Sequence, residues 1–297
     1  MLFRSPPSHL HGRPAIWLSF PTVRLLTYRT SGGTRAGRLD GDRVVELMDA
    51  DVGALLARGE AGLSDARNAG DAGRPLAELD LAPVIVNPPK IICVGQNYLA
   101  HIEEQGAKVP DHPTLFNKFR RCLVGPNDEI VLPRVSESVD WEVELTIVIG
   151  KQARHVSGAA AEDAIFGYTV MNDTSIRDWQ FRTTQWMQGK AFDSTTPLGP
   201  VAVSRDEVDA GSLRLWTELD GEVMQDSNTS DMIFKPAELV AYCSQMITLE
   251  PGDVIATGTP SGVGFARKPP VFVQAGQTVR CSIEGIGSLV NRAVKES

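Results

Sequence analysis

The sequence predicts an α+β, β-rich fold in which a β-rich roll or distorted barrel follows a small α/β domain. Three observations support this prediction. After residue 85, short runs rich in β-branched and aromatic residues recur, from "KIICVGQN" to "TVRCSIEGIGSLVNRAV". Turn-forming segments such as "LDGE" and "PGD" separate these runs, and few stretches carry a helical pattern. Many strands with few helices are typical of rolls and barrels.

The composition excludes several classes of protein. The chain has 297 residues, is 42% hydrophobic and carries a net charge of −8, so it can bury a sizeable core but lacks the basic stripe of a general nucleic-acid binder. No apolar run approaches the roughly 18 residues of a membrane span. Scattered cysteines without a C-x-x-C pair argue against a zinc ribbon and suit a reducing compartment, so we predict a cytoplasmic protein. These cysteines are Cys93, Cys122, Cys243 and Cys281.

The chain divides into three predicted parts. Residues 1–22 lack the apolar core and cleavage site of a signal peptide, and we predict a loose N-terminal extension. Residues 23–85 predict a small domain, with a strand meander followed by Ala- and Leu-rich helical pieces. The segment "LAPVIVNPPK" has linker signals. Residues 86–297 form the strand-rich second domain, in which "KPAELVAYCSQM" predicts a helix with proline in its first turn.

The stretch "DWEVELTIVIG" (140–150) reads as a strand yet contains two carboxylates, Glu142 and Glu144. Alternate residues of a strand share a face, so these two side chains should lie about 7 Å apart. Two like charges on a half-buried face are costly unless a cation joins them, and Mg²⁺ and Ca²⁺ prefer carboxylate oxygens. A solvent-facing strand surface is the alternative, because Glu-x-Glu is ordinary there.

A third carboxylate follows another strand-like run. "FGYTVMND" ends at Asp173, and the next residues, Ser175 and Asp178, have the spacing of a helix capping box. Asp173 would then lie between a strand end and a helix start, where site residues are common. A simple Asn-Asp turn explains the pattern equally well.

A histidine and a carboxylate share one helical face in "VGQNYLAHIEEQG" (94–106). His101 and Glu104 stand three residues apart, so the carboxylate can orient the imidazole as a general base. A solvated histidine on a surface helix is the alternative.

Two further segments carry polar residues suited to an anionic ligand. "RDWQFRTTQWMQGK" (177–190) combines Arg177, Gln180 and Lys190 with bulky aromatic residues, or else is an irregular surface loop. "ATGTPSGVGF" (256–265) is a Gly-rich turn without the P-loop pattern; Thr259 and nearby N–H groups can hold a carboxylate, or the turn is purely structural.

Taken together, these segments resemble the fumarylacetoacetate hydrolase family. The resemblance covers about residues 90 to 295, and the order and spacing of its motifs are specific as a set. The matching pieces are "GQNYLAHIEE", "PTLFNKF", "DWEVELTIVIG", "GYTVMNDTSIRDWQ", "GKAFDSTTPLGP", "PGDVIATGTPSGVG" and "IEGIGSLVNRAV".

The resemblance implies a mixed β-sandwich roll, a homodimer and a set of site residues. It implies Glu142, Glu144 and Asp173 as ligands of Mg²⁺, with Mn²⁺ or Ca²⁺ in some members. It implies catalytic roles for His101 and Glu104, which position water on a short helix over the site, and for Lys190, which holds substrate oxygens. It implies substrate contacts for Arg177, Gln180 and Thr259.

The resemblance implies chemistry through a metal-held enolate of a 2-oxo acid. Because His101 and Glu104 are both present and can activate water, we predict hydrolysis of a C–C bond in an acylpyruvate-type acid. Isomerisation or tautomerisation of a 2-oxo/2-hydroxy-dienoate acid, or decarboxylation of an oxaloacetate-like acid, is the alternative with the same parts. A silent metal- or ligand-binding member is the non-enzymatic alternative. Arg120 and Arg121, in "KFRRC", are predicted to select a second anionic group.

Overall fold

The computed structural model of the chain describes residues 22–70 and 73–297. The predicted extension therefore lies outside the described residues, except for residue 22. The fold is the predicted β-rich α+β fold, with one large mixed sheet, a smaller five-stranded sheet and a two-stranded ribbon. Within the described ranges, no helix has both the length and the apolar character needed to cross a membrane.

The large sheet has eleven strands and runs from the N-terminal meander to the site. Its strands are β1 (Arg24–Thr30), β2 (Gly33–Asp40), β3 (Arg43–Glu46), β4 (Arg74–Pro75), β5 (Ile91–Gly95), β6 (Thr114–Asn117), β7 (Leu123–Val124), β10 (Val143–Ile149), β11 (Ile165–Asn172), β13 (Thr196–Ser204) and β16 (Val254–Ala256). The order is β4-β3-β2-β1-β13-β11-β10-β16-β5-β6, and β7 pairs with β13 away from this path.

The remaining strands form the two smaller sheets. The five-stranded sheet contains β8 (Ile130–Leu132), β14 (Arg214–Leu219), β15 (Glu222–Asn228), β17 (Thr278–Ile283) and β18 (Gly287–Lys295). The ribbon pairs β9 (Val139–Asp140) with β12 (Ser175–Ile176).

The helices are short and lie between strands. They are α1 (Val52–Ala57), α2 (Glu60–Asn68), α3 (Leu99–Glu104), α4 (Ala159–Ala164), α5 (Arg177–Gln180), α6 (Met187–Lys190) and α7 (Pro236–Met246). Helix α7 matches the predicted helix and begins with Pro236, whose missing N–H costs nothing in the first turn.

The strands β10 and β11 form the centre of the molecule. Every residue of both strands is buried, so the sheet is covered on both faces. On one face Leu145 and Ile147 join a core shared with Leu215 and Leu289 of the five-stranded sheet. On the other face Val148 joins a second core with Leu55 of α1. The alternative of a solvent-facing strand surface is therefore excluded, because both faces of β10 are packed.

The N-terminal strands extend the same sheet. Strand β1 pairs antiparallel with β13, and residues 23–85 contribute to both cores. The predicted boundary near residue 85 falls in the irregular segment between β4 and β5. The division into residues 23–85 and 86–297 stays a prediction.

Candidate active site

Sheet pairing brings the three predicted acidic residues together. Glu142 immediately precedes β10 and Glu144 is its second residue, while Asp173 follows the last residue of β11. Val143 pairs with Asn172, and the Asp173 N–H donates to the Glu142 carbonyl over 2.9 Å. One carboxylate oxygen from each of the three residues lies within 4.8 Å of the others, and all three side chains are buried.

Buried cations surround two of these carboxylates. The Lys190 ammonium bridges them, 2.7 Å from Glu142 Oε2 and 2.6 Å from Asp173 Oδ2. Arg177 Nη1 lies 2.7 Å from Glu142 Oε1. Lys118 Nζ lies 2.7 Å from Asp173 Oδ1 and 3.0 Å from the Thr174 carbonyl. These contacts hold the carboxylates in place but leave Glu144 without an ion pair among the described residues.

The pKa values follow from these charges. Burial raises the pKa of Glu142, but the charges of Lys190 and Arg177 outweigh burial and lower it to about 2. For Glu144, burial and the negative charges of Asp173 and Glu142 raise the pKa well above its usual range. Burial lowers the pKa of Lys190, yet Asp173 and Glu142 reverse this and leave it raised. The cluster thus lacks positive charge next to Glu144.

The donor set fits a hard divalent cation. Three carboxylate oxygens converge without sulfur or nitrogen donors, as Mg²⁺, Mn²⁺ and Ca²⁺ prefer. With every group ionised, the surrounding residues carry one more negative than positive charge, so a dication would relieve the repulsion at Glu144. The carboxylates are Asp140, Glu142, Glu144 and Asp173; the cations are Lys118, Arg177 and Lys190. The triad can therefore hold a metal ion.

The predicted catalytic pair, His101 and Glu104, lies on α3 next to the same cavity. His101 Nδ1 is 3.0 Å from Glu104 Oε2, so the two side chains are paired as their spacing predicts. The other oxygen of Glu104 accepts the Gly262 N–H over 3.0 Å, which ties α3 to the loop after β16. His101 lines the cavity together with Glu142, Glu144 and Lys190.

The predicted substrate-binding residues also line this cavity, and several of their polar atoms already have protein partners. Arg177 bonds Asp140, Glu142 and the Gln180 Oε1 atom, which is 2.9 Å away. Thr259 Oγ1 donates to the Val143 carbonyl over 3.0 Å. The Gly258 N–H donates to Glu144 Oε2 over 2.8 Å, so this loop contacts a triad carboxylate.

Aromatic rings close the cavity on its outer side. Phe116, Phe181, Trp186 and Phe265 line it. Trp186 packs so closely on Gly95 that a Cβ atom there would lie 2.0 Å from the indole ring. Only glycine permits this contact. The cavity has a volume of about 40 Å³.

Two predictions about this region are wrong. Ser175 is in strand β12 and its hydroxyl donates to the Asp173 carbonyl, so it does not cap α5 as the capping-box spacing predicts. Arg121 is exposed and pairs with Asp193 at 2.9 Å, and Arg120 bonds Asn87. Neither arginine lines the cavity, because this short 3₁₀ turn points both side chains outward.

Sequence reasoning missed three residues of the site. Lys118 follows β6 within "LFNKF", and a lysine amid apolar residues was the available signal. Asp140 accepts N–H groups from Gly264 and Phe265 as well as Arg177, and so fixes the loop that closes the cavity. Gln105 follows Glu104 directly and its amide contacts His101; its position four residues after His101 on the same helical face was the available signal.

Comparison with known proteins relates this chain to one family. Residues 90–294 match the family model described as fumarylacetoacetate (FAA) hydrolase C-terminal. The human mitochondrial oxaloacetate tautomerase FAHD2A is 47% identical over 246 residues, which cover 81% of this chain and 78% of that protein.

Solved structures agree. The fumarylacetoacetate hydrolase from psychrophilic Exiguobacterium antarcticum has a TM-score of 0.83 at 32% identity, covering 92% of this chain and 100% of that one. The 5-carboxymethyl-2-hydroxymuconate delta-isomerase from Mycobacterium smegmatis has a TM-score of 0.76 at 37% identity, covering 92% and 99%. The chain therefore belongs to the fumarylacetoacetate hydrolase family, and it has the fold of an enzyme of that family.

Proposed function

We propose that this chain is a divalent-metal-dependent tautomerase that interconverts the keto and enol forms of a short 2-oxo diacid such as oxaloacetate. The observation that carries the proposal is one small cavity lined by two of the triad carboxylates, the Lys190 ammonium and His101, whose ring is paired with Glu104 outside the lining. The activity named for the relative that is 47% identical supports tautomerisation over the hydrolysis predicted from sequence.

The size of the cavity also supports a short acid. A site needs about 10–15 Å³ for each water-sized group, and this cavity has a volume of about 40 Å³. It therefore has room for only about three or four such groups, so a four-carbon diacid already requires some movement of the aromatic wall, and a long acylpyruvate would require more.

Glu142, Glu144 and Asp173 would hold the metal ion, for which we propose Mg²⁺, with Mn²⁺ or Ca²⁺ as alternatives. When bound, such an ion supplies Lewis-acid stabilisation of the negative charge that develops on an enolate.

The protein residues then move one proton. His101 Nε2 takes a proton from C3 of the keto acid. The C–H electron pair becomes the C2–C3 double bond, and the carbonyl electrons move to O2. His101 returns the proton to O2, which gives the enol, and the reverse path regenerates the ketone. Glu104 accepts the Nδ1–H and steadies the charged ring.

Lys190 places a fixed positive charge where O2 becomes negative, so it stabilises the enolate rather than the ketone. We propose that Arg177 and Gln180 face the substrate carboxylate. Thr259 contributes to the wall, because its hydroxyl is bonded to the main chain.

Hydrolysis of an acylpyruvate remains the second candidate. The His101–Glu104 pair favours it, since such a pair can activate water. Decarboxylation of oxaloacetate is a further reaction that the same enolate permits.

A substrate panel separates these reactions. The purified chain is assayed for ketonisation of enol-oxaloacetate, loss of CO₂ from oxaloacetate and cleavage of acetylpyruvate, each with Mg²⁺ and with EDTA. We expect metal-dependent ketonisation to dominate by about 10²-fold, within the range of a positioned acid–base group. Faster cleavage of acetylpyruvate would replace this proposal with the hydrolase.

We further propose a homodimer that acts on a small 2-oxo acid without nucleic-acid or membrane partners. Strand β6 is an edge of the large sheet, and exposed Phe119, Met246 and Ile247 line a surface depression beside it. Sedimentation velocity tests the dimer: a single monomer peak at micromolar concentration would contradict it. The cytoplasmic location stays a proposal; the human relative is named as mitochondrial, and cell fractionation distinguishes the two.

A further inference from the structure

Gln105 contacts the nitrogen that the proposed reaction uses as its base. The Gln105 amide nitrogen lies 2.6 Å from His101 Nε2. Gln105 is the residue after α3; it is exposed, yet it lines the cavity. The position of this amide therefore decides whether Nε2 is free to take a proton.

The direction of this hydrogen bond follows from its neighbours. The Glu104 carboxylate can only accept, so His101 Nδ1 carries the hydrogen in their 3.0 Å contact. In the neutral ring Nε2 then has a lone pair, which accepts an N–H of the Gln105 amide. Gln96 supports this orientation, because its amide nitrogen faces the Gln105 oxygen at 3.4 Å. A reversed Gln105 amide would oppose two NH₂ groups.

Gln96 has an unusual backbone that keeps it at the cavity wall. Its φ is +55°, a left-handed conformation that residues other than glycine rarely adopt. Such conformations cluster at functional sites. The neutral side-chain amides of Gln96 and Gln105 thus form a hydrogen-bonded chain that ends at His101, and both glutamines line the cavity.

We propose that Gln105 masks the His101 base and that a second carboxylate on the substrate removes the mask. By masking we mean that the amide N–H occupies the Nε2 lone pair. A carboxylate is a stronger acceptor than the imidazole, so the distal carboxylate of a diacid would draw the Gln105 amide to itself, assisted by Gln96. Nε2 is then free to take the C3 proton. A monoacid lacks this group and leaves the base occupied.

This inference rests on the proposed tautomerase function and deepens it. It makes Gln105 a specificity-determining residue, whose amide bonds the distal carboxylate of a diacid and thereby frees His101. It also assigns to Gln96 and Gln105 the selection that the sequence predicted for Arg120 and Arg121, which lie outside the cavity.

The test compares two four-carbon acids in one assay. Oxaloacetate and 2-oxobutanoate differ at C4, which is a carboxylate in the first and a methyl group in the second. Exchange of their C3 hydrogens in D₂O is followed by NMR, with Mg²⁺ and after subtraction of the buffer rate. The wild-type chain should favour oxaloacetate in kcat/KM.

Gln105→Met keeps the length of the side chain but removes its hydrogen bonds. We expect the preference for oxaloacetate to fall by about 10- to 100-fold, the range for one hydrogen bond to a charged group. The loss on oxaloacetate should fall on KM, while kcat for 2-oxobutanoate rises because its base is no longer masked. Gln152→Met, on an exposed glutamine outside the cavity, should retain the wild-type preference. An unchanged preference in Gln105→Met overturns the proposal.

A second measurement is independent of turnover. Nitrogen-15 NMR of the five histidines, with the His101 signal assigned by its absence in His101→Gln, reports the hydrogen bond at Nε2. Malonate with Mg²⁺ should release that bond, whereas acetate should not. If the wild-type chain does not accelerate exchange of oxaloacetate, the proposed function is wrong. The nitrogen-15 NMR measurement then still tests whether Gln105 masks His101. If malonate leaves the signal unchanged, the masking is wrong whatever the enzyme does.

Discussion

Strands β10 and β14 both carry charged residues, but these residues are buried in β10 and more exposed to solvent in β14. In β14 buried and more exposed residues alternate, and Arg214 reaches Asp226 on the solvent side, 2.8 Å away. In β10 every residue is buried, and Glu144 is 1% exposed. Arg214 lowers the pKa of Asp226, whereas burial raises the pKa of Glu144.

The difference teaches where charge is structural and where it is functional. The pair on β14 is solvated, so it costs little and contributes little. The cluster at β10 requires three buried cations and still leaves Glu144 unpaired, which is an expensive arrangement for stability alone. Perturbed groups of this kind concentrate at functional sites.

The largest expected effect is loss of activity in Glu144→Gln. The change removes one oxygen of the proposed metal site, and metal assistance contributes several kcal/mol, so we expect turnover to fall by about 10³-fold. Stability of the metal-free protein should be unchanged or higher, because the buried carboxylate is costly to ionise. Glu218→Gln on β14 is the matched control and should keep full activity. Full turnover by Glu144→Gln would show that this residue is not a metal ligand.

The next effect is on stability. Lys118→Met removes one of the two buried cations that contact Asp173. Because Lys190 remains, we expect a loss towards the lower end of the roughly 3–5 kcal/mol that an uncompensated buried charge costs. Urea denaturation measures this as a lower midpoint at unchanged slope. A midpoint equal to that of the wild-type protein would contradict this prediction.

Metal addition gives a smaller and reversible effect. Mg²⁺ at 100 times its dissociation constant should stabilise the native state by about 2.7 kcal/mol. A rise in thermal midpoint on addition of Mg²⁺, reversed by EDTA, is the measurement. Glu142→Gln should abolish the rise. A rise of equal size in that variant would place the ion elsewhere.

The thiol pKa values of two buried cysteines allow the region of β14 to be compared with the acidic cluster at β10. Burial raises the pKa of Cys281, in β17 beside β14, to about 12. Cys93 lies near the cluster, where burial and the charges of Asp173 and Glu144 raise its pKa. Both thiols should resist Ellman's reagent at pH 8 and react after unfolding.

The same raised values predict alkaline destabilisation. Above pH 9 the unfolded thiols lose protons that the native thiols keep, so the native state binds more protons and its stability falls as pH rises. Denaturation midpoints measured between pH 8 and pH 11 test this. A midpoint that rises over this range would contradict it.

The smallest expected effect is at the surface pair of β14. Arg214→Gln should leave the urea midpoint and the activity unchanged within error, since the pair with Asp226 is solvated. A loss comparable to that of Lys118→Met would remove the distinction between the two strands.

Local patterns predicted much of the fold and part of the site. Alternation along "DWEVELTIVIG" placed Glu142 and Glu144 on one side, and helical spacing paired His101 with Glu104. Both depend only on a few bonds of backbone geometry. The prediction that Arg120 and Arg121 select diacids failed because position in the chain does not fix the direction of a side chain within a 3₁₀ turn.

The sequence by itself determined the β-rich class, the strand that carries two carboxylates and the family to which the chain belongs, because these depend on periodicity and motif order. Only the tertiary structure decided that both faces of β10 are packed and that Lys118 and Lys190 meet Asp173. These contacts join residues from different strands and loops. They depend on sheet register and on desolvation together, and no local sequence pattern specifies that combination.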